Sequence, residues 1–454
     1  MRRLVPILAA ALSLVAAGTA GAVPAAPDHR DPDARAVEAQ WLDRRTVDLT
    51  FAGPGLGSVL PRAKVRVLVP RGYRRSDRRY PVLFLLHGAG DRYDGWTTNQ
   101  DGWPVTLKEF TAGKDVIVVM PDGGTPDRPG WYSDWFNFGA FGSPRWETFH
   151  IATVLPYVDR HFRTIRDRDS RVVAGLSMGG FGAMSYAARH PHLFAGAFSL
   201  SGALDTRRFM DHVFPEVWGT EADQLVRVRG HNPVDLVDNL RHTKIWFRTG
   251  QGLPGGPAPR DDEAQGLALE QGVGKLNEIF AAAVERAGLP YTYQSYPRGG
   301  HNWWHWQRAL QRLAWPEIEE VFAGDAPDRP RRFSYRSTEP AFRVWGWRVR
   351  TSRDVVEFLR LRDVGRSGLR LVGSGTVHLT TPAVYEPGRR YRVTADGPSD
   401  ATTTPLVRAD ETGRLRIDVH LGASHTVQQD TAAQRAAAAD PGAYWQRAEV
   451  RIGR

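Results

Sequence analysis

The chain reads as apolar runs alternating with amphipathic stretches. From Arg44 onward come "RTVDLTFAG" and "KVRVLVP", then the continuous apolar runs "YPVLFLLHG" and "KDVIVVMPDGG". "SRVVAGLS", "FAGAFSLSG", "TKIWFRTG" and "YTYQSYPRGG" follow. Between them lie stretches with helical spacing, such as "WETFHIATVLPYVDRHF" and "GKLNEIFAAAVERAG". Uninterrupted apolar strands that alternate with helices predict a mostly parallel sheet covered on both faces, an α/β domain over residues 41–323.

At residues 324–332 the pattern stops. "GDAPDRPRR" replaces periodicity with proline and charge and predicts a linker. Beyond it, "AFRVWGWRVRT", "DVVEFLRLRD", "GLRLVGSGTVHLTT", "RRYRVTAD" and "RLRIDVHLG" alternate apolar and polar positions between turn residues. Only the alanine-rich "TAAQRAAAAD" breaks that texture, so residues 333–454 predict an all-β, sandwich-like accessory domain.

The first residues do not belong to this pattern. A basic start, an apolar run from Leu4 to Gly18 and the small residues Ala20-Gly21-Ala22 predict a signal peptide over 1–22. Residues 23–40, rich in Ala, Pro and Asp at their start, predict a disordered leader. No later stretch reaches the ~18 apolar residues of a membrane span, so an exported protein is expected, in the medium or at the cell wall.

Composition narrows the chemistry. The 454 residues contain no cysteine, which removes disulfides, thiol nucleophiles and thiolate-ligated metals. The net charge is +10, carried almost wholly by arginine. Such a surface favours anionic polymers or membranes. The arginines are scattered, and no helix-turn-helix, finger or RNP-like pattern accompanies them, so nucleic acid is not expected as a partner.

The sharpest motif is "GLSMGG", residues 175–180. A G-x-S-x-G string is weak alone, but here a strand ("RVVAG") precedes it and a helix ("GGFGAMSYAARH") follows. That context predicts a nucleophile elbow with Ser177 at the carboxyl end of a central strand. A serine needs a base, and the base needs an orienting acid. His301 follows the last strand at once and is the expected base; a helix starting near Asn302 should carry its rival His305 away. Spacing leaves the acid open among Asp261, Asp262, Glu263 and Glu270. Oxyanion donors are expected from the backbone of Met178 and of Ala89 or Gly90, with His87 and Gly88 shaping that loop. Trp96, Trp103, Trp131, Trp135, Trp303, Trp304 and Trp306 gather around these loops, either as cleft walls or as packing.

"LLHGAGDRYDGW", "VIVVMPDGG", "WYSDWF", "RWETF", "GLSMGG" and "GGHNWWHW", taken together and in this order, resemble the esterase D and antigen 85-type mycolyltransferase family of α/β hydrolases. The likeness runs from about Val47 to Leu313 and leaves the C-terminal domain uncovered. It implies a serine esterase or acyltransferase with no cofactor or metal, acting on a lipid, polysaccharide or small-molecule ester. It also implies Glu270 as the acid, because "LALEQGVGKLNEIF" matches the family's glutamate followed seven positions on by an asparagine, here Asn277. It further implies Ser177 as nucleophile, His301 as base, and the amides of Ala89 and Met178 as oxyanion donors. His87, Gly90, Trp96 and Trp303 are the expected substrate contacts. His87 and Gly90 stand where mycolyltransferases carry the aspartate and arginine that hold trehalose, and the family's disulfide near "WFNFGAF" is missing, so a trehalose site is not expected. A non-catalytic wall- or glycan-binding protein, working through its β domain, is the reading from another class.

Overall fold

The computed structural model describes residues 35–52, 62–98, 103–139, 144–208, 215–397, 406–438, 440 and 444–453. The signal peptide expected over 1–22 lies outside them. Nine strands form one sheet: β1 (Arg35–Trp41), β2 (Thr46–Ala52), β3 (Arg62–Leu68), β4 (Val82–Leu86), β5 (Ile117–Pro121), β6 (Arg171–Leu176), β7 (Gly196–Leu200), β8 (Lys244–Leu253) and β9 (Thr292–Arg298). Their spatial order is β1-β2-β3-β5-β4-β6-β7-β8-β9. The first three strands and the β3–β5 pair are antiparallel; from β5 to β9 every pair is parallel.

The leader expected through residue 40 is shorter than that. Arg35–Trp41 pairs antiparallel with β2 as an edge strand. Its backbone groups pair from Arg35 to Trp41 with one register shift between Ala36 and Glu38, so the segment is held by ladder hydrogen bonds.

The continuous apolar runs are strands buried on both faces. In β4, Val82, Phe84 and Leu86 pack into one core while Leu83 and Leu85 pack into the other. Helix α1 (Met178–Arg189) supplies Phe181, Met184 and Tyr186 to the first core. Trp303, Trp306 and Trp315 help build the second. Because β5 lies on one side of β4 and β6 on the other, the chain reverses its direction of winding at β4. Such a switch point opens a crevice at the carboxyl ends of the strands. The loop after β4 and the turn after β6 meet there, since Leu86 is paired with Gly175.

Residues 324–332 lead from the last helix of this domain to a second body of antiparallel strands. These are β10 (Phe333–Ser337), β11 (Ala341–Val344), β12 (Trp347–Ser352), β13 (Leu359–Gly365), β14 (Gly368–Gly373), β15 (Thr376–Thr380), β16 (Arg390–Asp396), β17 (Leu406–Arg408), β18 (Arg416–His420) and β19 (Gln446–Gly453). They form a six-stranded sheet, β10-β13-β14-β19-β16-β17, and a four-stranded sheet, β11-β12-β15-β18. Residues of both, such as Leu361 and Val450 from one and Trp347 and Val419 from the other, share a single core. The two bodies are packed together. Val356 and Phe358 enter the first core of the α/β domain. Arg189, the last residue of α1, pairs with Glu147 at 2.9 Å and with Glu339 at 2.9 Å, and its carbonyl accepts from the Tyr335 hydroxyl.

Candidate active site

Ser177 stands between β6 and α1 with φ 52° and ψ −120°, a conformation that side-chain-bearing residues avoid. The turn closes only because its neighbours are bare. A Cβ on Gly175 would lie 2.3 Å from the Gly179 carbonyl oxygen, and one on Gly179 would lie 2.5 Å from that of Leu86. Ser177 is partly exposed and heads a helix, where the first amides have no intrahelical acceptor and the dipole favours negative charge. Met178, whose amide follows the serine, is buried.

The loop after β4 closes over this turn. A Cβ on Gly88 would meet Leu176 Cδ1 at 2.6 Å and Ser177 Cβ at 3.4 Å. Ala89 and Gly90 form its exposed tip, Gly90 with φ 84°. His87 does not face that opening, which corrects its expected contact with substrate. Its ring is 2% exposed, Nε2 accepts from the Gly123 amide at 2.8 Å, and Nδ1 lies 2.8 Å from the Gly88 carbonyl. An accepting Nε2 makes Nδ1 the protonated nitrogen. Burial, only partly opposed by the Gly88 bond, pulls the ring down to about 4, so it is neutral at pH 7.

The acid candidates separate cleanly. Glu270 sits on α2 (Ala264–Arg286), wholly buried, with Oε2 2.6 Å from His301 Nδ1. Its Oε1 accepts from the Ser201 hydroxyl at 2.8 Å, the Tyr296 hydroxyl at 3.0 Å, the Thr249 hydroxyl at 3.2 Å and the Gly250 amide. Burial pushes this carboxyl up, but the His301 bond and charge, with the Gly250 and Ser201 donors, outweigh it and hold the group below the usual range. Asn277, two turns along, anchors the helix by donating to the Gly202 carbonyl at 2.7 Å. Asp261 pairs instead with His305, at 2.9 Å. It also accepts from the amides of Ala258 and Gly300 and from Asn302 Nδ2, tying two loops together around His301. Asp262 and Glu263 are exposed, the first accepting from the Gly255 amide and the second facing Arg260.

His301 is held from three sides. Its amide donates to Gly266 of α2, Glu270 takes Nδ1, and Trp306 meets the ring edge-on at 4.7 Å. Its Nε2 is buried with no hydrogen bond. Helix α3 (Trp303–Ala309) begins just after Asn302, whose side chain caps it by accepting from the His305 amide. The elbow and the acid are linked through consecutive residues of one strand end: the Ser177 amide donates to Leu200, and Ser201 donates to Glu270. Sequence reasoning missed Ser201, Thr249 and Tyr296 as holders of the carboxylate. Ser201, in "FSLSG" at a strand end one strand over from the elbow and itself at φ 47°, carried the nearest signal.

The tryptophans are packing residues, which also corrects the substrate contacts expected of Trp96 and Trp303. Trp96 is 1% exposed, donates Nε1 to the Leu86 carbonyl at 3.1 Å and meets Trp303 edge-on at 5.0 Å. Trp103, Trp303 and Trp306 lie in the second core, Trp131 and Trp135 in the first. Trp304 is half-buried beneath Arg308. Among the described residues no group of three or more metal-ligating side chains is gathered in one place, and no helix is long and apolar enough to cross a membrane.

Parallel strands that bring these loops to one carboxyl edge, on both sides of a switch point, make the first domain an α/β hydrolase by fold. The chain belongs to the esterase family described as "Putative esterase", whose model matches residues 59–314. It is 38% identical over 257 residues to Esterase Rv1288 of Mycobacterium tuberculosis, covering 52% of each protein. It is 29% identical over 267 residues to the diacylglycerol acyltransferase/mycolyltransferase Ag85B of Mycolicibacterium smegmatis, covering 53% of this chain and 77% of that one. The chain thus spans about half the length of the first of these relatives. Among solved structures, a ferulic acid esterase overlays 61% of this chain and 100% of its own at 23% identity and a TM-score of 0.44.

Proposed function

We propose that the protein is an exported serine esterase whose triad is Ser177, His301 and Glu270. The observation that carries this reading is the 2.6 Å contact of Glu270 with His301 Nδ1, which leaves Nε2 without a hydrogen bond, while the Ser177 elbow is tied by Leu200 and Ser201 to the strand end that holds Glu270. Ser177 Oγ attacks the ester carbonyl carbon while His301 Nε2 takes its proton. The oxyanion gathers at the amides of Met178 and Ala89. The tetrahedral adduct collapses, the carbon–oxygen bond to the alcohol breaks, and His301 returns the proton to the departing oxygen. Water, activated by His301, then releases the acid from Ser177. No metal or cofactor enters these steps.

Similarity to a protein named acyltransferase/mycolyltransferase supports a second reading, in which a sugar or lipid hydroxyl replaces water as acceptor. His87, buried with both ring nitrogens engaged, leaves no side chain there to hold trehalose. The C-terminal domain adds contact with a wall or glycan polymer.

The test is turnover of nitrophenyl esters of rising chain length by the parent protein and by Ser177→Ala. Hydrolysis by the parent alone supports the esterase. Silence across the panel, with Ser177 still labelled by a fluorophosphonate, shifts the assignment to transfer. Equal rates in both proteins overturn it.

A further inference from the structure

The outer face of the four-stranded sheet carries charge in register. Arg343 is paired with Arg348, Arg348 with Thr380, and Thr380 with Arg416, so three arginines share one row across all four strands. In the next row Arg350 is paired with His378, and His378 with Asp418. Arg343, Arg348, Arg350 and Arg416 are exposed. They line a groove of about 650 Å³ walled by the Asp410–Arg414 turn. Like charges directly opposite in an antiparallel pair destabilise a sheet. Arginine also stands opposite arginine on the six-stranded sheet, Arg336 with Arg360, Arg362 with Arg370 and Arg390 with Arg408; there Arg336 lies over the Phe358 ring, Arg370 meets Asp363 and Arg408 donates to the Gly388 carbonyl. Among the described residues the side chains of Arg348, Arg350 and Arg416 have neither a hydrogen bond nor an ion pair, and Arg416 acts on Asp410 through its charge alone.

We infer that this groove binds an anionic glycan, a hydroxyl-rich polymer bearing carboxylate or phosphate groups. The inference gives a location and a ligand charge to the glycan contact proposed above and rests on it. Anions complement the arginine row, and its steps match the inter-strand spacing of about 4.8 Å. His378, held by Asp418 at 2.7 Å and by Ser352 at 3.1 Å, and the hydroxyls of Thr380 and Thr412 offer the mixed donors and acceptors that sugar hydroxyls take up. Apart from the His378 imidazole, whose nitrogens face Asp418 and Ser352, the outward positions of these rows bear no aromatic ring on which bases could stack and no large apolar side chain to enter a lipid layer. Asp410 and Asp418 oppose a continuous phosphate backbone but accept from hydroxyls.

The experiment compares the full-length parent, the triple variant Arg348→Ser/Arg350→Ser/Arg416→Ser, and a charge-matched triple on the other sheet, Arg362→Ser/Arg392→Ser/Arg447→Ser. Each is measured on immobilised polygalacturonate, a phosphorylated mannan, neutral dextran, phosphatidylglycerol vesicles and single-stranded DNA. The parent should be retained on at least one charged glycan and not on dextran. Which polymer retains it identifies carboxylate or phosphate as the anion. Affinity should fall at least tenfold in the groove variant only, while its hydrolysis of a soluble nitrophenyl ester stays at the parent rate. Equal loss in both triples overturns the groove and leaves glycan contact standing. Tighter retention on vesicles or DNA than on either charged glycan overturns the ligand class. No retention of the parent on either charged glycan overturns the groove and the glycan contact together, whatever the ester assay shows.

Discussion

Replacing Glu270 with glutamine tests the site through a single proton. In the parent, Oε1 sits among four donors, from Ser201, Thr249, Tyr296 and Gly250, while Oε2 faces His301 Nδ1. Four donors can be satisfied only by an oxygen, so the glutamine amide must put its oxygen there and turn its NH₂ toward His301. Two donors then confront each other across 2.6 Å. The imidazole escapes by moving its proton from Nδ1 to Nε2, the nitrogen that accepts from Ser177 in the proposed mechanism. The wrong tautomer costs about 10³- to 10⁴-fold in kcat, or ~4–5.5 kcal/mol of transition-state stabilisation. The fold loses little, because the four donors keep their acceptor. The assay is the rate of a short-chain nitrophenyl ester beside the rate of fluorophosphonate labelling, both of which need a deprotonated Nε2. The two should fall together with little change in thermal midpoint. Glu270→Gln within tenfold of the parent in both assays would refute the tautomer argument.

Three further outcomes follow from the same geometry. Ser177→Gly and Ser177→Ala should both be inactive, but the glycine variant should be about 1 kcal/mol more stable in urea, because φ 52° strains every side chain and not glycine; equal midpoints would mean that the elbow stores no strain. Asp261→Asn should lower kcat by about tenfold to a hundredfold with KM little changed, since it loosens the loops around His301 without touching substrate; steady-state kinetics on one ester decides it. His87 is held at about 4 in the fold, below its ordinary 6.5, so on acidification the unfolded chain takes up that proton first and stability is lost as pH falls from 6.5 to about 4, by up to ~3 kcal/mol; melting curves of the parent should fall more steeply over that window than those of His87→Asn.

The sheet was readable because strands buried on both faces leave unbroken apolar runs, and β4 and β5 are such runs. The elbow was readable because its three glycines answer local crowding. The acid was not readable from spacing, because a carboxylate reaches His301 from whichever helical turn faces the strand ends. Asp261, nearer along the chain to the end of β8, is drawn to His305 instead. Cleft walls and core look alike in a list of tryptophans, and only burial separates them. The edge strand β1 was hidden because its pairing uses backbone groups, which leave little mark on composition.

The end of α1 opposite Ser177 closes on Arg189, whose guanidinium is shared between a carboxylate of its own domain and one of the next. Cutting the chain at the linker would leave that buried cation with part of its countercharge gone, and would strip the cover from the core that Val356 and Phe358 complete. The helix that follows Ser177 would therefore fray from its far end. In calorimetric terms the two bodies are one cooperative unit, and heating should melt them in a single transition rather than as a hydrolase carrying a detachable appendage.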